Sequence, residues 1–260
     1  MRGARHWARR IREFSYYLGL LPAGRHHWQH LPRFVRDARA YRAAPRTDAS
    51  FPFAWDNAQP MLSDYTAQAG SAGGHYFHQD LWAARRIHAV RPRAHIDIGS
   101  RVDGFVAHVL TFMPVTVVDI RPLQSDVRGL TFVQGDVCRL ASFQTDSIES
   151  LSSLHAIEHI GLGRYGDPIA PDGWRDALRE CARVLAPGGR FYFGTPVGRE
   201  RLNFNSGRVF FPQTIIAALD SLRLTAFGAV DDSGALVDDA DPVTFASAEY
   251  ACGLFEFTKP

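Results

Sequence analysis

Cysteine is scarce in this 260-residue chain, and lysine is nearly absent. The three cysteines, Cys138, Cys181 and Cys252, stand far apart with no Cys-x-x-Cys spacing. An odd, sparse set argues against a disulfide framework and a structural zinc site, and points to a reducing cytoplasm. No run of about 18 apolar residues occurs, so no transmembrane helix is expected. Gly19-Leu20-Leu21 is too short for the apolar core of a signal peptide. Hydrophobic residues at 46% and charged residues at 22% are ordinary for a globular protein. The length suits one large domain with a decorated end, or two small domains.

Positive charge is carried by arginine, with Lys259 the only lysine, and it is uneven. Residues 1–46 hold eleven arginines against Glu13 and Asp37. With a total of +2, the remainder of the chain is net negative. Such asymmetry suits contact with an anionic membrane surface or a protein partner. The competing reading is a solvated helical arm in an arginine-rich chain. Trp7, Ile11, Phe14, Leu18 and Leu21 recur at helical spacing, and Pro22 and Gly24 end that stripe. A second helix is expected over Leu31 to Arg42. Residues 47–74 are rich in proline and glycine and read as an irregular connection, leaving 75–260 as the main domain.

From residue 75 the pattern alternates. Asp80 is expected to cap a helix running to about Val90, with Leu81, Ala84, Ile87 and His88 on one face. Apolar runs at 95–98, 115–119, 130–134, 148–154, 190–194, 222–228 and 250–257 predict seven strands, with helices between them. This is an α/β pattern: a doubly wound, mostly parallel sheet covered by helices on both faces. Ligands of such sheets bind at the carboxyl ends of the strands, where strand order reverses.

Four of those ends carry polar groups: Asp97-Ile98-Gly99, then Asp119, then Gly135-Asp136, then His155. A glycine turn admits a ligand close to the backbone, and an acid at the second strand end can accept ribose hydroxyls. Both features suit an adenosine-bearing cofactor. A nicotinamide dinucleotide fits less well, because Asp103 would repel a pyrophosphate at the helix start and no Tyr-x-x-x-Lys pair exists. S-adenosylmethionine has no phosphate; Asp97 can face its ammonium and Arg101 its carboxylate.

Residues 76–257 resemble a class I S-adenosylmethionine-dependent methyltransferase. The matching pieces are His95 to Ser100, Val117 to Ile120, Phe132 to Asp136, Ser153 to Ile160 and Arg183 to Phe191. The resemblance implies a Rossmann-like fold and a cofactor set of Asp97, Gly99, Ser100, Arg101, Asp119, Ile120, Asp136, Val137 and His155. The stretches Gly74 to Asp80 and Glu158 to Pro168 resemble a bacterial subfamily known only as a domain of unknown function and associated with surface-glycan synthesis. That association implies a sugar hydroxyl as methyl acceptor. The loop departs from the family's acid-x-Gly-x-Gly-x-Gly: Arg101 and Asp103 replace the second and third glycines, and Gly104 follows. If Arg101 must adopt positive φ, it is strained. A catalytically inactive binding or assembly module is therefore the alternative.

A hydroxyl acceptor needs a base near neutral pH. His159 is the first candidate and His155 the second, with Glu158 orienting a histidine or touching the cofactor. Gly161 to Pro168 is a glycine-rich insert in which Arg164, Tyr165 and Asp167 could hold substrate. His75, Tyr76, His78 and Gln79 precede the first strand and could fold over the cofactor, with Tyr76 and His78 as substrate contacts. Asp167, His159 and Glu158 are metal-ligand types, but no spacing assigns a metal. No zinc-finger or RNA-recognition motif accompanies the arginines, so nucleic acid is not the expected partner.

Overall fold

A computed structural model describes residues 25–48 and 50–260. The stripe from Trp7 to Leu21 lies outside these residues. The chain divides into two compact units, Met1–Ser71 and Ala72–Pro260. In the first, helix α1 (Leu31–Ala43) is followed by short 3-10 turns at Trp55–Asn57 and Leu62–Tyr65. Arg33 lies 4.3 Å over the Tyr65 ring, and Leu62 and Ala38 are buried. Among the described residues no helix is long and apolar enough to cross a membrane.

The second unit is an α/β sandwich. Its strands in chain order are β1 (His95–Ile98), β2 (Val115–Asp119), β3 (Leu130–Gln134), β4 (Ile148–Leu154), β5 (Leu185–Val197), β6 (Arg201–Asn203), β7 (Gly207–Val209), β8 (Arg223–Val230), β9 (Leu236–Val237) and β10 (Ala251–Thr258). The main sheet has the order β3-β2-β1-β4-β5-β10-β8-β9, while β6 and β7 form a separate hairpin. Strands β3, β2, β1, β4 and β5 are parallel, and β10 runs antiparallel to both of its neighbours. All seven expected runs are strands, but the sheet has eight. The eighth, β9, is two residues long, too short to leave a periodicity. It forms because the turn at Asp231 to Ala235 folds the chain back onto β8.

Alternating side chains feed two cores. Phe191 and Phe193 face one side of β5 with Phe255, Trp174 and Leu178; Tyr192 faces the other with Leu254, Trp82, Ile87 and Phe105. Helices α4 (Gly173–Val184) and α5 (Pro212–Ala218) supply the first core. The second takes α2 (Gly74–Val90), a π-helical turn at Val102–Val106 and α3 (Ala107–Leu110). Helix α2 corrects two expectations. It starts at Gly74, so Asp80 lies inside it, buried, and caps nothing. Its inward face is Gln79, Asp80, Trp82, Ala83, Ala84 and Ile87, whereas His88 is exposed. Gly70 and Gly73 lie in the irregular connection that the sequence predicts, and only Gly74 joins the helix, whose body is held by packing of Trp82 and Ile87 on the sheet.

His95 is buried at the start of β1. Its Nδ1 lies 2.8 Å from Ser150 Oγ and its Nε2 2.9 Å from Ser152 Oγ. Burial pushes its pKa down to about 3, whereas an unfolded histidine titrates near roughly 6.5. The group's contribution to stability is complete above that unfolded value and is lost as pH falls toward 3. The slope approaches about 1.4 kcal/mol per pH unit, since one extra proton binds the unfolded chain. Urea unfolding of His95→Gln is expected to show a shallower loss between pH 6 and 4 than the parent protein; equal slopes would mean that His95 does not stay neutral.

Candidate active site

The chain runs β1 to β3 outward in one direction and β4 to β5 in the other, so strand order reverses between β1 and β4. At the carboxyl ends of these strands lie two adjoining chambers of about 300 and 610 Å³. The first is walled by Ile98, Val118, Ile120, Val137 and Ile157, with Asp136 at its rim. The second is polar and includes Tyr76, Ser100, Arg101, Glu158 and Arg164. Gly99, Asp119, Arg121, His155, His159 and Tyr165 border both.

The turn after β1 resolves the glycine substitutions. Gly99 has φ +67°, the left-handed region that favours glycine, and its amide donates to Val118 O at 3.0 Å. Arg101 has φ −67° and ψ 121°, so it is unstrained. Its guanidinium pairs with Asp103 at 3.1 Å and lies 5.0 Å over Tyr76. The close approach falls instead on Gly104, where a Cβ would stand 2.5 Å from Asp80 Oδ2. Burial raises the pKa of Asp80 to about 6.

Asp97 reaches neither chamber. It is fully buried and accepts from Ser100 N (3.0 Å), Ser100 Oγ (2.6 Å) and Ser152 Oγ (2.5 Å). Burial lifts its pKa to about 6, against the pull of these bonds. In this arrangement the carboxylate fastens the turn after β1 to β4. Asp119 does border both chambers, but Arg121 holds its carboxylate through Nε at 3.0 Å, Nη2 at 2.7 Å and its backbone amide at 2.8 Å. Arg121 escaped the sequence reading, because an exposed arginine after a strand carries no pattern. It also lies 4.3 Å over Tyr165, whose ring has Arg164 at 5.1 Å as well.

Beyond β4, His155 takes φ +52°, uncommon for a residue with a side chain. Its amide donates to Gly194 O at 2.8 Å, and its Nδ1 lies 2.7 Å from Glu158 Oε1. Burial opposes charge on His155, but the Cys252 sulfur and the Glu158 carboxylate beside it outweigh burial and hold its pKa well above the usual value. Burial pushes the His159 pKa down; the Glu158 carboxylate opposes this and Arg164 adds to it. His159 is therefore neutral near neutral pH and borders both chambers.

The expected substrate residues divide. Arg164 donates to Ser206 O at 2.7 Å from within the polar chamber, and Tyr76 lies 5.2 Å from the His155 ring. Asp167 lines the first chamber, yet its carboxylate accepts the amides of Gly161, Gly163 and Tyr165, so it folds the insert. His78 reaches neither chamber; its ring packs edge-on against Phe77. Arg208 was not foreseen. It is buried on β7 and donates to the carbonyls of Glu158, Ile160 and Pro171, locking the turn that carries His159.

No curated protein matches the chain. A family model described as "Caenorhabditis protein of unknown function, DUF268" matches residues 126–222. Among solved structures, a candidate sarcosine dimethylglycine methyltransferase from Galdieria sulphuraria is 14% identical with a TM-score of 0.50, covering 70% of this chain and 85% of that one. The N-methyltransferase NodS from Bradyrhizobium japonicum, in complex with S-adenosyl-L-homocysteine, is 16% identical with a TM-score of 0.49 over 72% and 89%. Likeness at such identity is a likeness of fold: the second unit is a Rossmann-like sheet of the kind found in methyltransferase structures.

Gly104→Ala is expected to lower unfolding free energy by about 1–3 kcal/mol through overpacking against Asp80. The double variant Asp80→Ala/Gly104→Ala should lose less than the two single losses combined, as contacting residues do. Strict additivity in denaturant titrations would place the strain elsewhere.

Proposed function

We propose that the second unit transfers a methyl group from S-adenosylmethionine to a small polar acceptor, most specifically a sugar hydroxyl of a glycan or glycan precursor. One observation carries this reading: an apolar chamber joined to a polar one at the strand-order reversal, with His159 on the shared wall. The apolar walls and the Asp136 rim fit an adenine ring, and Gly99, Ser100 and Arg101 lie where the amino-acid end of the cofactor would rest. When bound, S-adenosylmethionine supplies an electrophilic methyl on a sulfonium. His159 takes the proton of the acceptor hydroxyl, and Glu158 and Arg208 fix the turn that presents it. Arg164 and Tyr165 orient the acceptor. The sugar identity rests on the resemblance of Glu158 to Pro168 to glycan-associated chains.

A second, non-catalytic reading is favoured by one feature. Arg121 occupies the Asp119 carboxylate, the group that a ribose would use. Calorimetry separates the two readings. Micromolar binding of S-adenosylmethionine or its demethylated product, about −8 kcal/mol, supports methyl transfer; no binding by folded protein sinks it. Against sugar acceptors, His159→Ala should keep cofactor affinity while turnover falls about 10²- to 10⁴-fold. Full turnover would remove His159 as base.

Arg121→Ala should tighten cofactor binding by roughly two- to fivefold, the value of a partly exposed ion pair that no longer competes for Asp119. Weaker binding would instead make Arg121 a cofactor contact.

A further inference from the structure

We propose that His75, His155 and Cys252 form a site for one zinc-class cation. These residues are remote in sequence, and their spacing signals nothing. The fold gathers them: His75 opens α2, His155 follows β4, and Cys252 lies on β10. One ligand atom from each lies within 4.8 Å of the others. One thiolate and two imidazoles are the ligand types that zinc selects.

Two further features point to a ligand here. His155 Nε2 is buried and has no hydrogen-bond partner, although the His155 side chain is only 5% exposed. Its other nitrogen meets Glu158 Oε1 at 2.7 Å. A carboxylate behind a histidine is the usual outer support of a metal ligand, because it fixes which nitrogen faces the ion. Cys252 is fully buried, and its sulfur makes only long contacts, to Gln79 Oε1 at 3.8 Å and to Gly253 O at 3.9 Å, beside the His155 ring.

A tetrahedral shell needs its donor atoms roughly 3.3–3.5 Å apart, from zinc–ligand bonds of about 2.0–2.3 Å. The site must therefore contract by about an ångström. The His75 and His155 rings are near-parallel, 7° apart at 5.3 Å, and must tilt to share an ion. His75 is half-buried on the first turn of a helix preceded by glycines, and its tilt must loosen the stack it makes on Tyr250 at 5.3 Å. Binding releases two protons to solvent: the Cys252 thiol proton, as the sulfur–metal bond replaces S–H, and the Nε2 proton of the charged His155 ring, as the nitrogen–metal bond replaces N–H. The polar chamber beside His155 leaves room for a fourth ligand, water or an oxygen of a bound molecule. This site stands without the methyl-transfer reading, because metal binding can be read with no cofactor present.

The experiment is titration of chelator-stripped full-length protein with Co²⁺ as a spectroscopic stand-in, followed by displacement with Zn²⁺. The expected result is one ion per chain, with tetrahedral d–d bands and a thiolate-to-cobalt charge-transfer band. That band should vanish in Cys252→Ser, and affinity should fall at least tenfold in His75→Ala. Absence of the thiolate band, or equal affinity in both variants, overturns the proposal. Should Cys252→Ser fail to fold by circular dichroism, His75→Ala decides alone, and unchanged affinity there is the overturning result.

Discussion

The buried Asp97 carboxylate holds the switch point together. A carboxylate removed from water costs several kcal/mol unless hydrogen bonds replace the solvent. Asp97 meets that demand with the Ser100 amide, the Ser100 hydroxyl and the Ser152 hydroxyl. These groups belong to the turn after β1 and to β4, the two strands whose meeting creates the crevice. Ser100 Oγ also accepts the Leu154 amide, so the network continues to the end of β4, next to His155. His95 and Ser150 extend it backward along the sheet. One acid thus sets the spacing of both walls of the site.

With the turn pinned this way, the missing glycines cost nothing. Only Gly99 needs the left-handed region, and Arg101 takes an extended conformation that any residue adopts. The tight contact moves to Gly104, against Asp80. The loop needs glycine at 99 and 104, and not at 101 or 103.

Beyond that frame, charge and ring stacking shape the site. Both Arg121 and Arg164 lie against the Tyr165 ring, so the insert is tied to the end of β2, and Arg164 ties it to Ser206 in the turn of the β6–β7 hairpin. Arg208 uses three carbonyls to hold the histidine-bearing turn. His155 keeps a positive φ that glycine would accept more cheaply. The Glu158 carboxylate clasps that side chain through Nδ1 at 2.7 Å, which helps hold the turn in this conformation.

The sequence by itself determined the strands, because a buried parallel sheet demands short β-rich apolar runs, and each of the seven runs is a strand. It also placed Gly99, Asp119, Asp136, His155 and His159 at one edge, since strand ends in such sheets gather on one side. It misjudged Asp80, which it made a helix cap, and it did not show that Asp97 is buried in hydrogen bonds to Ser100 and Ser152. Nor could it find β9, Arg121 on Asp119, Arg208 under Glu158, or Cys252 beside His155. Each of these depends on a contact between elements remote along the chain. Periodicity records which face of an element is buried; only the packed sheet decides which side chain from another element meets it there.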